Sequence, residues 1–219
     1  MYFKSRAQAG KLLSAQIARK YEGRDCAVIA LSDGAVMVGA QIAAPLRCVI
    51  TMLLTEAINL PREDVAVAGM NQDGSVTYNN YYSPGQIEEF VSEYHNLIEE
   101  QKIGKMQNMN QLLGKGGLIK KDLIRDHNII LVSDGLASGF SLDVAAEFLK
   151  PIRIKKLIVA TPFASVSAVD RMHILADEIF CLSVIEDYIS TDHYYEVQDT
   201  PDHSKVVGII EQIVGGWRP

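Results

Sequence analysis

The chain has 219 residues, 48% hydrophobic and 22% charged, which is too apolar for a disordered chain and sufficient for one α/β domain carrying an insertion. Its net charge is -6 and its 21 Lys and Arg are scattered, which excludes a basic stripe and makes DNA or RNA an unexpected partner. The three cysteines, Cys26, Cys48 and Cys181, sit in apolar runs without metal-ligand or redox spacing and read as buried free thiols.

Met1-Tyr2-Phe3-Lys4 leads straight into a polar helical pattern, with no apolar core of a secretory signal. The most apolar stretch, residues 35–54, is interrupted by Gln41, Pro45 and Arg47, so no spanning helix is expected and a cytoplasmic location is the reading. From Ser5 to Tyr21 the residues Ala9, Leu12, Leu13, Ile17 and Ala18 recur at helical spacing behind a Ser5 cap. Cys26 to Leu31 is a continuous apolar run ended by Ser32-Asp33-Gly34, and Ala35 to Ala44 returns to small, helix-compatible residues. Runs at 48–54 and 65–69 read as strands, and Asp73-Gly74 signals a hairpin before residues 75–78. Ser83-Pro84 starts a long helix with Ile87, Phe90, Val91, Tyr94, Leu97 and Ile98 on one face, closed by a loop at Gly114-Lys115-Gly116-Gly117.

A buried strand is expected over 128–133, followed by small residues and a helix from about Ser141 to Leu149. A strand over 156–161, a turn at Pro162, a helix near 166–175 and a strand over 178–182 complete the pattern, with residues 215–219 as a frayed end. Strands alternating with helices of this length imply a mainly parallel twisted sheet with flanking helices.

In such a sheet ligands sit where a strand's carboxyl end leads into a helix. Two turns have similar text, Leu31-Ser32-Asp33-Gly34 and Val132-Ser133-Asp134-Gly135. The second is the better anion site, because Ala137, Ser138, Gly139 and Ser141 keep side chains small beside a helix start. A purely structural turn is the competing reading.

The segment Ile129 to Ser141 (IILVSDGLASGFS) resembles the phosphoribosyl pyrophosphate (PRPP) motif of type I phosphoribosyltransferases. Supporting matches run in order: Phe3 to Tyr21 resembles that family's opening helix, Ala30 to Gly39 its pyrophosphate loop, Val67 to Gly74 the hairpin after it, and Tyr188 to Val206 its aromatic tail. The resemblance implies one phosphoribosyltransferase-like domain over residues 1–219, with a hood insertion at 70–127 and a tail at 184–219. It implies Asp134 as the catalytic, ribose-orienting acid, beside Ser133. Gly135, Ala137, Ser138, Gly139, Phe140 and Ser141 would supply amides and hydroxyls to a 5′-phosphate. Ser32, Asp33, Gly34 and Ala35 would form the pyrophosphate loop.

Three departures set this chain apart from that pattern: Ser133 replaces the first acid of the motif and gives up a charge-assisted bond to ribose, while Ser32-Asp33-Gly34-Ala35 in place of Pro-Arg-Gly-Gly and Leu53-Leu54-Thr55-Glu56 in place of an Arg-Lys pair remove electropositive features. An acid about 4 Å from a pyrophosphate costs up to ~4 kcal/mol per unit charge at an effective dielectric of ~20. Asp33 is alternatively a ligand of Mg2+, the cofactor the resemblance implies, since that cation favours carboxylate oxygen. No residue spacing marks a resident metal site.

If active, the protein is a pentosyltransferase displacing pyrophosphate from C1 of PRPP; its partner is a small phosphoribosyl compound or a nucleotide. The alternatives are a non-catalytic nucleotide or sugar-phosphate binder on the same fold, and a scaffold. Lys115-Gly116-Gly117 is a mobile loop or plain linker, and Tyr188, His193, Tyr194 and Tyr195 line an acceptor pocket or pack on the sheet. His95, His127, His173 and His203 read as ordinary surface or core residues, and a homodimer is left open.

Overall fold

A computed structural model describes residues 2–113 and 121–215. The elements run α1 (Arg6–Tyr21), β1 (Cys26–Ala30), α2 (Asp33–Leu46), β2 (Val49–Met52), β3 (Thr55–Ile58), β4 (Ala68–Asn71), β5 (Val76–Tyr78), α3 (Pro84–Glu93) and α4 (His95–Leu113). After these come β6 (Asn128–Val132), α5 (Phe140–Leu149), β7 (Lys156–Ser165), α6 (Val166–Leu175), β8 (Glu178–Ile185) and α7 (His203–Gly215). The Gly114-Lys115-Gly116-Gly117 loop and residues 216–219 of the expected frayed end lie outside the described residues.

Two compact units are resolved: one of Met1–Leu53, Ile119–Leu142 and Ile152–Pro219, and a second of Leu54–Leu118 and Asp143–Pro151. The first contains a five-stranded sheet, ordered β2-β1-β6-β7-β8, with every pairing parallel. Parallel strands covered on both faces read as unbroken apolar runs, and β1 and β6 are buried along their whole length. On one face Val28, Ala30, Ile130, Val132, Ile158 and Ala160 pack with Leu13 and Ile17 of α1, Val38 and Ile42 of α2, and Val206 of α7. Fully burying a Val, Leu or Ile side chain in this way contributes ~1.5–3 kcal/mol.

Helix α1 begins where Ser5 accepts a hydrogen bond from the Gln8 amide, and it buries Ala9, Leu13, Ile17 and Tyr21 at four-residue spacing. Helix α7 was not among the expected elements, although Val206, Ile209, Ile210 and Ile213 carry the helical period and meet the same core. Strand β7 runs through Pro162, where a turn was expected. Neighbouring β6 ends at Val132, opposite Ala160, so the missing proline N–H falls beyond the paired part of that edge.

The second unit holds the antiparallel sheet β3-β4-β5. The run expected as a strand at 65–69 forms β4 over 68–71, paired with β3, whose Thr-Glu-Ala-Ile text carries little apolar signal. The Asp73-Gly74 hairpin joins β4 to β5, with Asn71 Oδ1 accepting from the amides of Asp73 and Ser75. Ser83 and Gln86 form a capping box before Pro84, and the expected long helix divides at Tyr94 into α3 and α4. Among the described residues, no helix is long and apolar enough to cross a membrane.

Candidate functional site

Strand order decides where a site can form. From β1 the chain crosses by α2 to β2 on one side, whereas β6, β7 and β8 extend the sheet on the other, so the order reverses between β1 and β6. Such a switch point leaves a crevice outside the carboxyl ends of the strands. Ala30 pairs with Val132, and Val132 with Ala160, so the turns after β1 and β6 stand side by side although 102 residues separate Ser32 from Asp134.

Asp134 is buried there, and each of its carboxylate oxygens has a partner. Oδ2 accepts from Arg6 Nε at 2.8 Å and Oδ1 from Ser32 Oγ at 2.7 Å, while the Tyr195 hydroxyl donates to the Asp134 carbonyl at 2.6 Å. Gly34 lies over this carboxylate: a β-carbon there would sit 2.1 Å from Oδ2. Only a residue without a side chain permits that approach.

Arg6, 2% exposed, also pairs with Asp192 and Asp199 and stacks 4.5 Å from the Tyr195 ring centre. Burial opposes its charge, but hydrogen bonds to Asp134, Asp192 and Asp199 outweigh that and hold its pKa above the ordinary arginine value. Burial first, then the nearby Asp134 charge, pushes the Tyr195 phenol up, so it stays a neutral donor. Arg6 thus ties the opening helix, the turn after β6 and the tail together, and neither its role nor its partners were expected from sequence.

The loop after Asp134 is fastened to β7. The Leu136 amide donates to the Phe163 carbonyl at 3.1 Å, the Ser165 amide donates to the Leu136 carbonyl at 2.9 Å, and Ser165 Oγ donates to the Ala137 carbonyl. With these carbonyls turned toward β7, the amides of Ala137, Ser138 and Gly139 have no hydrogen-bond acceptor among the described residues. Ala137 and Ser138 are exposed, Phe140 and Ser141 half-buried at the start of α5. Gly139 has φ +75°, and a β-carbon there would press on the Arg171 stem at 2.9 Å. Consecutive amides ahead of a helix N-terminus make a concavity suited to an anion.

Ser133 faces inward: its hydroxyl donates to the Gly135 carbonyl at 2.9 Å and accepts from the Gly135 amide at 3.2 Å. Ser32 caps α2 by accepting from the Ala35 amide, and Asp33, Gly34 and Ala35 form that helix's first turn rather than an open loop. Asp33, half-buried at the first helical position, sits where the helix dipole favours an acid. Among the described residues no three metal-ligating side chains cluster, so a magnesium ion here would be held as that cation usually is, by one carboxylate such as Asp33 together with waters and substrate phosphates.

Tyr194 and Tyr195 join Phe3 and Phe163 in an aromatic core, the Phe163 and Tyr194 rings 4.9 Å apart. They pack on the sheet rather than lining a pocket. His193 contacts the Tyr2 hydroxyl at 2.9 Å, and Tyr188 shares a hydrogen bond with Thr191. His95 and His173 are exposed, and His127 is half-buried.

Residues 3–203 match the profile of the phosphoribosyl transferase domain. A provisionally named phosphoribosyl transferase of Mycobacterium tuberculosis H37Rv, Rv0571c, is 21% identical over 213 residues, 96% of this chain and 46% of the relative. The counterpart from strain CDC 1551, MT0597, matches equally, so the chain spans about half the length of these curated relatives. The crystal structure of TT1426 from Thermus thermophilus superposes with a TM-score of 0.72 at 22% identity, covering 97% of this chain and 99% of that one. A Staphylococcus aureus hypoxanthine phosphoribosyltransferase superposes with a TM-score of 0.50 at 13% identity, covering 85% and 78%.

Proposed function

We propose, from the premise that this chain belongs to the phosphoribosyl transferase domain family, that it binds a phosphoribosyl compound or nucleotide with the phosphate seated over residues 135–141. The observation that carries this reading is the run of three amides, Ala137, Ser138 and Gly139, without acceptors among the described residues at the start of α5. A dianionic phosphate there accepts hydrogen bonds from these amides and from the Ser138 and Ser141 hydroxyls, in the favourable field of the helix N-terminus.

If a group is transferred, the step is displacement of pyrophosphate from C1 of PRPP by a nitrogen nucleophile. The C1–O bond breaks with its electron pair leaving on pyrophosphate, and the new bond forms from the nucleophile's lone pair. The residues of this chain contribute positioning of the phosphate, so any rate gain comes from orientation and electrostatics.

Binding without transfer is the second reading, and Asp33 favours it. An acid in the first turn of α2, at the switch point, repels a pyrophosphate more than it repels a single distal phosphate. Incubating the protein with PRPP and a panel of purine and pyrimidine bases, and assaying released pyrophosphate, separates the two. Release above the protein-free rate supports transfer; its absence, together with calorimetric binding of a nucleoside 5′-monophosphate, supports binding alone. Absence of both removes the phosphate reading.

A further inference from the structure

A sugar diol is recognised by hydrogen-bond acceptors free to receive it, and a carboxylate at a strand's end is the strongest such group. At the end of β6 the candidates are Ser133 and Asp134. The Ser133 hydroxyl proton is used on the Gly135 carbonyl at 2.9 Å, and its oxygen takes the Gly135 amide at 3.2 Å. Asp134 gives one oxygen to Arg6 Nε at 2.8 Å and the other to Ser32 Oγ at 2.7 Å. Its side chain is only 10% exposed, and the Gly34 backbone closes over Oδ2.

Turning this carboxylate toward a ligand would break a charge-assisted bond in a buried setting and leave Arg6 short of one of its three acids. Two neutral sugar hydroxyls offer weaker bonds than the guanidinium they would displace. The phosphate-holding amides lie beyond this locked pair, at residues 137–139, where Ala137 and Ser138 are exposed. The two functions that one turn could combine are therefore separated, with the phosphate loop exposed and the Asp134 carboxylate held by Arg6 and Ser32.

We infer that this site recognises a phosphate monoester without reading the 2- and 3-hydroxyls of its sugar, because Arg6 and Ser32 hold the carboxylate of Asp134. The inference rests on the phosphate reading above and narrows it: the ligand class is phosphate monoesters at large, with ribose and deoxyribose accepted alike. Any preference among such ligands then comes from groups other than the diol.

The test is titration calorimetry of the whole chain with ribose 5-phosphate and with 2-deoxyribose 5-phosphate. Dissociation constants within about threefold of each other are the expected result. A preference of about tenfold or more for ribose 5-phosphate would overturn the inference while leaving the phosphate reading standing. Heat from neither sugar phosphate, at concentrations on the order of millimolar, would remove the phosphate reading itself and the inference with it.

Discussion

A β-carbon on Gly34 would come within 2.1 Å of the Asp134 carboxylate, which Arg6 and Ser32 hold from two other directions. In an exposed helix, Gly→Ala stabilises by ~1 kcal/mol through backbone entropy. Here the sign reverses, because the carboxylate cannot retreat without losing its partners. Gly34→Ala is expected to destabilise by ~1–3 kcal/mol, read from urea unfolding. Unchanged or raised stability would show that Asp134 moves freely.

Arg6→Met keeps much of the side-chain volume but strands buried Asp134 without its cation. Removing one member of a buried pair costs ~3–5 kcal/mol, or about 10 °C in Tm for a chain of this size. Asp134→Asn should cost less in the Arg6→Met background than alone, since the two changes remove one interaction. Additive losses in that cycle would argue against the pairing.

Ser138 is exposed in the loop, so Ser138→Asp should shift stability by no more than ~0.5 kcal/mol. It places a like charge beside the amides of residues 137–139. Affinity for a nucleoside 5′-monophosphate should fall at least about tenfold by calorimetry, well within the ~4 kcal/mol that two charges exchange at close range. Equal affinity would remove this loop from binding.

Asp33→Arg tests the proposed proximity of the α2 start to a pyrophosphate. The wild type should prefer a nucleoside monophosphate to PRPP at low magnesium, and the variant should narrow that preference by about tenfold, or ~1.4 kcal/mol. Reversing charge at the first helical position should also cost ~0.3–1 kcal/mol of stability. Tight, magnesium-dependent PRPP binding lost in Asp33→Ala would instead make the residue a metal-site acid.

Glu178, at the start of β8, accepts from Lys20 and from the Tyr21 hydroxyl. Burial alone would raise its pKa, but those two partners outweigh it and set the value below the usual carboxylate range. A carboxylate lowered on folding stabilises above its unfolded pKa of ~4.3 and loses that contribution as pH falls through the native value. Glu178→Gln should cost ~1 kcal/mol at neutral pH, and its Tm deficit should shrink as pH drops below ~4.3. A deficit constant with pH would point to packing rather than charge.

Elements whose cause lies within a few neighbouring residues were legible before any coordinates. The Ser5 cap with the spacing of Leu13 and Ile17 specified α1; unbroken apolar runs specified β1 and β6; Asp73-Gly74 specified the hairpin. Strand β3 was not legible, because Thr55–Ile58 is a half-exposed, partly polar segment that becomes a strand only when β4 pairs with it. The division at Tyr94 escaped because apolar spacing continues across it.

The sequence by itself determined the alternation of strands and helices and the small-residue loop at 135–141, since turn chemistry and periodicity act over about ten residues. Only the tertiary structure decided what the carboxylate of Asp134 does. Arg6, at the first position of an opening helix, has the local look of a solvated cation, and its acids lie 128, 186 and 193 residues away. Strand order brings β1 and β6 together and the tail folds back over them. Burial then makes pairing obligatory, because a guanidinium out of water must find its acids.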